Sequence, residues 1–73
     1  MVTTLTKSTG GTRLVYDRDE EYHEEIVVAH IVSFEKFNSV QIILNLTMGA
    51  DHLTFDNTTA RDNAYDLIES LFP

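Results

Sequence analysis

The middle of the chain alternates hydrophobic and polar positions with a period of two. From residue 25 to 34 the even-numbered positions are apolar except for one histidine, and these residues are Ile26, Val28, His30, Val32 and Phe34. From residue 40 to 48 the even positions are apolar in the same way. A period of two is typical of a strand with one buried face, whereas a helix would repeat every 3.6 residues. The pattern therefore predicts two neighbouring strands, 25–34 and 40–48.

The connection between these strands determines their register. A two-residue turn at Asn38-Ser39 would place polar residues opposite the apolar face of the second strand. Because a slip of one residue moves every side chain to the other face, the apolar pattern should decide the register. We therefore expect a connection of odd length, three or five residues, with Phe34 opposite Ile42 and Val32 opposite Leu44.

Further strands are predicted on both sides of this pair. Residues 3–7 and 12–17 are rich in β-branched and aromatic residues, and Gly10-Gly11 between them supplies the positive φ of a tight hairpin turn. Leu5, Leu14 and Tyr16 should share one face. After residue 48, a turn over 49–52 returns Leu53 and Phe55 to the core.

The chain ends in a predicted helix. Residues 56–59 are all capable N-caps, and apolar residues then recur with helical spacing up to residue 72. The order of elements predicts one α+β domain over residues 1–73, an antiparallel β-meander of four to five strands with one C-terminal helix packed on the sheet. Its core should contain Val28, Val32, Phe34, Ile42, Leu44, Leu46, Phe55, Ala64, Leu67 and Leu71.

The second face of this sheet raises the question of oligomerisation. The runs 26–29 and 42–44 are apolar without interruption, so Val27, Ile31 and Ile43 project from the face opposite the main core. Soluble monomers rarely expose a large apolar patch. We predict a homo-oligomer, a dimer that buries Val27, Ile31 and Ile43. The alternative is that the N-terminal hairpin folds over this face and forms a small roll or barrel.

Charge and length limit the classes of function and partner that the chain can have. The 73 residues carry a formal charge of −7, five basic residues are scattered, and cysteine is absent. The sequence thus predicts neither a disulfide framework nor a basic patch for direct contact with nucleic acid or an anionic membrane. It lacks an apolar run of the roughly 20 residues that cross a bilayer and the apolar core of a secretion signal, so we expect cytoplasmic residence.

Half of the acids lie in the stretch DRDEEYHEE. The six carboxylates, which form the candidate interaction residues, are Asp17, Asp19, Glu20, Glu21, Glu24 and Glu25. Glu20 and His23 have the i, i+3 spacing of helical carboxylate-bridged metal sites, but such sites need a second copy and further helices. We therefore expect no metal and no cofactor, and interpret the stretch as a solvated connection or a negatively charged recognition face.

Catalytic signatures are missing from the sequence. No serine has the G-x-S-x-G context of a nucleophile, and Gly10-Gly11 does not precede Lys-Ser/Thr in a phosphate loop. His30, on the apolar face of a strand, is interpreted as a core or interface residue. A chain this short offers little surface for a substrate pocket. The sequence predicts a protein that is not an enzyme.

The segment HLTFDNTTARDNAYDLIESLF, residues 52–72, resembles the closing strand and C-terminal helix of pleckstrin-homology-like domains. The resemblance implies a strand followed directly by a C-terminal helix. The complete family fold has seven strands and more residues than this chain holds. The basic loop that phosphoinositide binding needs is also missing.

Two classes of function remain. One is a small acidic accessory or regulatory domain that acts through protein–protein contact as a homo-oligomer. The other is an acidic inhibitor that mimics nucleic acid and blocks a basic groove of its partner. A mimic should carry its acids in one band that includes the acidic stretch and either Asp51 or the helix, whereas a general interaction domain should have them dispersed.

Overall fold

Residues 3–19 and 22–72, which the computed structural model describes, form six strands and one α-helix. The elements are β1 (Thr3–Lys7), β2 (Arg13–Arg18), β3 (Tyr22–Val27), β4 (Ile31–Lys36), β5 (Gln41–Leu46), β6 (Gly49–Thr54) and α1 (Thr58–Ser70). The strands form two antiparallel sheets, a first sheet β1–β2–β3 and a second sheet β4–β5–β6. The α+β class is as predicted, whereas one meander of four to five strands is wrong in detail.

A single turn of 3₁₀-helix divides what the pattern predicted as one long strand. The turn covers Val28–His30 and separates β3 from β4. Ile26 and Ile31 are both buried although they lie an odd number of positions apart, because the turn shifts the alternation between them. His30 is exposed within this turn, so it is not a core residue, whereas its alternative place in an interface stays a prediction.

A β-bulge at Val32 shifts the alternation a second time. Ile31 lies opposite Leu46 while Phe34 lies opposite Leu44, so both face the core although three positions separate them. Val32 is left 69% exposed, and its predicted place in the core is wrong. The predicted pairs, with Phe34 opposite Ile42, are wrong by two residues, which preserves the buried face.

The first hairpin turn of the second sheet has the predicted odd length, but both turns of this sheet lie at other positions than predicted. Phe37 N–H donates to the Gln41 carbonyl at 3.0 Å, so three residues, 38–40, lie between this closing pair. The next turn is tight and covers Thr47 and Met48, because β6 already begins at Gly49. Met48 is consequently exposed instead of core-facing.

Both sheets and the helix contribute to one hydrophobic core. Its buried members are Leu14, Tyr16, Ile26, Ile31, Ile42, Leu44, Leu53, Phe55, Ala64 and Ile68. Four of the predicted core residues are among them. Leu67 and Leu71 are half-buried, and Ile68 is the helix residue that is fully enclosed.

The helix begins at one of the predicted N-cap residues and is attached to the second sheet through Arg61. Asn57 is the N-cap, and its side-chain oxygen accepts from Ala60 N–H at 2.8 Å. The buried Arg61 donates from Nη1 to the Asn38 carbonyl at 2.5 Å, which ties the helix to the β4–β5 turn. Strand followed by helix over residues 52–72 is the order that the resemblance implied. No helix among the described residues is long and apolar enough to cross a membrane.

Candidate functional site

The edge strands β3 and β6, one from each sheet, border a cleft between the two sheets. Tyr16 of β2 connects the sheets beside this cleft, because its hydroxyl donates to the Thr54 carbonyl at 2.9 Å and accepts from the Thr54 N–H at 3.1 Å. The buried Tyr16 ring also packs edge-to-face on Phe55, with ring centroids 6.0 Å apart. The position of β6 relative to the first sheet is therefore fixed by a buried aromatic side chain.

The cleft has a volume of about 320 Å³ and is lined by Tyr16, Arg18, Asp19, Tyr22 and His52. The rings of Tyr16 and Tyr22 meet edge-to-face with centroids 5.9 Å apart. This volume lies at the lower end of the range typical of ligand pockets. The lining combines aromatic faces with charges of both signs, which suits a polar or cationic group better than an apolar one.

A pair of carboxyl groups joins β3 to β6 next to the cleft. Burial of Glu24, together with a hydrogen bond and charge repulsion from Asp51, raises the Glu24 pKa to about 7. The Tyr22 hydroxyl lies 3.5 Å from Glu24 Oε1, and the charge of Glu24 raises the tyrosine pKa. The folded chain therefore keeps a proton on Glu24 well above the usual range of a glutamate. A cation beside Glu24 and Asp51 would relieve the repulsion between the two carboxyl groups.

The outer face of the first sheet, which points away from the core, carries a separate charged cluster. His23 Nδ1 lies 2.5 Å from Asp17 Oδ1, and its Nε2 lies 3.4 Å from Glu25 Oε2. Arg13 Nη1 donates to Glu25 Oε1 at 3.3 Å. The hydrogen bond with Asp17 is the main cause that raises the His23 pKa, and the bonds from His23 and Arg13 lower the Glu25 pKa. Cationic side chains thus accompany the acids of this face.

The acidic stretch is divided between these two places. Strand alternation puts Asp17 and Glu25 on the outer face and Glu24 on the core side with Asp51, while Asp19 lines the cleft at a positive φ of 58°. Glu20 and Glu21 lie outside the described residues. Among the residues that are described, no three or more His, Cys, Asp or Glu side chains form a group that could hold a metal ion.

The three residues predicted for the oligomer interface also lie apart from one another, at three different places in the fold. Val27 is 37% exposed on the first sheet, and Ile43 is half-buried on the second. Ile31 is 8% exposed and belongs to the core. Its predicted projection from the opposite face is wrong, because the 3₁₀ turn reverses the alternation that the prediction extended from Val27.

A partly apolar surface, the outer face of the second sheet, surrounds Ile43. Because Ile42 and Leu44 are fully buried, Ile43 points away from the core, with Glu35 and His52 opposite it on the neighbouring strands. Phe37 is 60% exposed and stacks on His52 with centroids 6.0 Å apart. The face therefore presents large apolar side chains in a region of low charge.

Sequence reasoning did not identify the aromatic cleft. The position of Glu24 was predictable, because it has the same strand phase as Ile26 and must share the core side. The sequence predicts a turn at Asp51 and His52, because Gly49 is typical of the start of a turn, whereas both residues lie in β6. Only the packing of the two sheets brings Tyr16 and Tyr22 next to His52.

Comparison with known proteins gives no match to this chain by family model, by curated sequence or by solved structure.

Proposed function

We propose that this chain is a small non-enzymatic accessory or regulatory protein that acts through protein–protein contact and self-associates. The observation that carries the proposal is the outer face of the second sheet, where Ile43 of β5 and Phe37, directly after β4, have no covering element among the described residues. The proposal includes cytoplasmic residence and no cofactor, and neither nucleic acid nor membrane as a direct partner.

Charge favours this face as the contact between two copies. A chain of charge −7 repels its own copy over most of its surface. On the outer face of the second sheet the described carboxylate is Glu35, whereas Asp62 of the helix and Asp17 of the first sheet point elsewhere. A two-fold dimer places the same patch of both copies together, so a patch with little charge and two large apolar groups is well suited to it.

The nucleic-acid mimic is less well supported by the arrangement of the acids. Glu24 does adjoin Asp51, but Asp17 and Glu25 lie on the opposite side of the same sheet. Both of these acids are paired with His23 or Arg13. Mimicry requires unpaired carboxylates in one band, so we favour the general interaction protein. Binding to a basic partner that disappears at moderate salt would support the mimic instead.

Light scattering in solution tests self-association. We expect a mass near twice the chain mass of 8.3 kDa at micromolar to millimolar concentration. Ile43→Glu and Phe37→Glu should each reduce it to one chain, because a charge would be buried at the centre of the interface. The matched control is Val27→Glu on the first sheet, which should leave the mass unchanged.

A mass of one chain at every concentration would overturn the self-association. An effect of Val27→Glu equal to that of Ile43→Glu would place the interface elsewhere. Circular dichroism of each variant separates loss of association from loss of folding. Phe37 is the safer of the two sites in this respect, because its side chain is 60% exposed.

A further inference from the structure

The backbone of β6 has a free edge whose hydrogen-bonding groups can be assigned. Phe55 N–H donates to the Val40 carbonyl at 2.8 Å, so this residue points toward β5. In an antiparallel ladder, alternate residues point to opposite edges of the strand. The N–H and C=O groups of Thr54, His52 and Ala50 therefore point away from β5, toward the cleft side of the sheet.

Tyr16 already occupies the first position along this edge. Its hydroxyl binds both the N–H and the C=O of Thr54, as the backbone of a neighbouring strand would. Beyond it, β6 pairs with β5 alone among the described strands, and no backbone partner of Ala50 or His52 is found on that edge within the described chain. A strand edge with such groups is a template for an added strand.

The side chains beside the edge define what an added strand should carry. Asp51 lies between His52 and Ala50 and points to the core side, where Glu24 of β3 approaches it. A residue placed opposite Asp51 on an added strand would have its Cβ about 5 Å away and would point to the same side. Its side chain would then lie between two carboxyl groups, next to the ring of Tyr22.

We propose that the free edge of β6 binds an extended basic segment of a protein partner as an added strand, with a Lys or Arg side chain between Asp51 and Glu24. The cation would offset the repulsion between the two carboxyl groups. The cleft accepts the stem of the side chain against Tyr16 and Tyr22, whose rings line it. An aromatic face near a carboxylate pair is a favourable site for an ammonium or guanidinium group.

A basic partner fits this edge better than a second copy of the chain does. If two β6 strands paired in the antiparallel register centred on Asp51, this residue would face its own copy, and like charges opposite each other destabilise a strand pair. The site adjoins the outer face of the second sheet at His52, but its two carboxyl groups, those of Asp51 and Glu24, lie on the core side of their strands. Binding at the β6 edge extends the proposed role in protein contact, and it does not require a particular oligomeric state.

Selection from a random peptide library displayed on phage tests the proposal on the intact chain. The enriched peptides should contain Lys or Arg flanked by β-branched residues, because the basic residue must lie in an extended strand. A synthetic peptide of the enriched sequence should perturb the amide signals of Ala50 and His52 in the NMR spectrum. Its affinity should fall about tenfold or more when Asp51→Asn and Glu24→Gln are combined.

Two comparisons make the test specific. Glu69→Gln removes one negative charge from an exposed helix position and should leave the affinity within twofold of the original. Replacing the basic residue of the peptide by norleucine should weaken binding as much as the double variant does. Failure to enrich basic sequences would overturn the proposal, as would binding unaffected by the double variant. The mass from light scattering tests the dimer independently of either result.

Discussion

The carboxyl pair makes the stability of the fold depend on pH in a direction that can be worked out. Glu24 has a pKa of about 7 in the folded chain, against an ordinary value of 4.5. Between these two values the folded state keeps a proton that the unfolded state has lost. Stability therefore falls as pH rises from about 4.5 to about 7 and changes no further through this group above that. Glu24→Gln removes this dependence, because glutamine does not titrate.

The size of the effect follows from the same two values. Each pH step within the window is worth about 1.4 kcal/mol, so the full difference would be about 3 kcal/mol. Glu24 is only half-buried, and solvent screens part of its interaction with Asp51. We therefore expect Glu24→Gln to raise the free energy of unfolding by about 1 to 2 kcal/mol at pH 8, and by little at pH 5.

Urea unfolding followed by circular dichroism measures this at a series of pH values from 5 to 8. The quantity of interest is the difference between the variant and the original chain, since other groups such as His23 titrate in both. Glu69→Gln on the exposed side of the helix serves as the control and should give a difference that does not vary with pH. Parallel stability curves for Glu24→Gln and the original chain would refute a raised pKa of Glu24 in the folded state.

Two further predictions concern the packing of the sheets. Tyr16→Phe should lower the free energy of unfolding in urea by about 1 to 3 kcal/mol, because two backbone groups of β6 lose their hydrogen-bond partner. Tyr65→Phe is the control, because the Tyr65 hydroxyl has no hydrogen bond within the described residues. Equal losses of stability in the two variants would contradict the role of Tyr16. Ile31→Ala should lower the free energy of unfolding by about 2 to 5 kcal/mol, whereas Val32→Ala at the bulge should lower it by less than about 0.5 kcal/mol. The reverse order would show that the alternation predicted from the sequence continues through this region.

Local patterns in the sequence predict the elements that depend on near neighbours. Gly10-Gly11 adopts φ of 89° and 70° in the first hairpin turn, and Leu5 lies opposite Tyr16 as its alternation requires. Asn57 caps the helix through its own side chain. These features depend on residues a few positions apart, so the propensity of each residue and the spacing of apolar positions are sufficient to predict them.

The division into two sheets could not be predicted in this way. The alternation from Ile26 to Phe34 continues without a visible break, yet the chain turns at Val28–His30 and bulges at Val32. Both irregularities let Ile31 and Phe34 face a core that two sheets and a helix share. Their burial depends on residues distant in the sequence, since Phe34 packs on Tyr65 and Phe72 of the C-terminal region, and a local pattern does not contain this information.

The candidate site is likewise predictable from the sequence only in part. The concentration of the acids in one stretch, and the strand phase that Glu24 shares with Ile26, follow from the sequence alone. That Glu24 meets Asp51, and that Tyr16 covers part of the β6 edge, depends on how the two sheets pack. The reason is physical: alternation fixes the side of a strand on which a residue lies, but the packing of one sheet on another decides what it faces there.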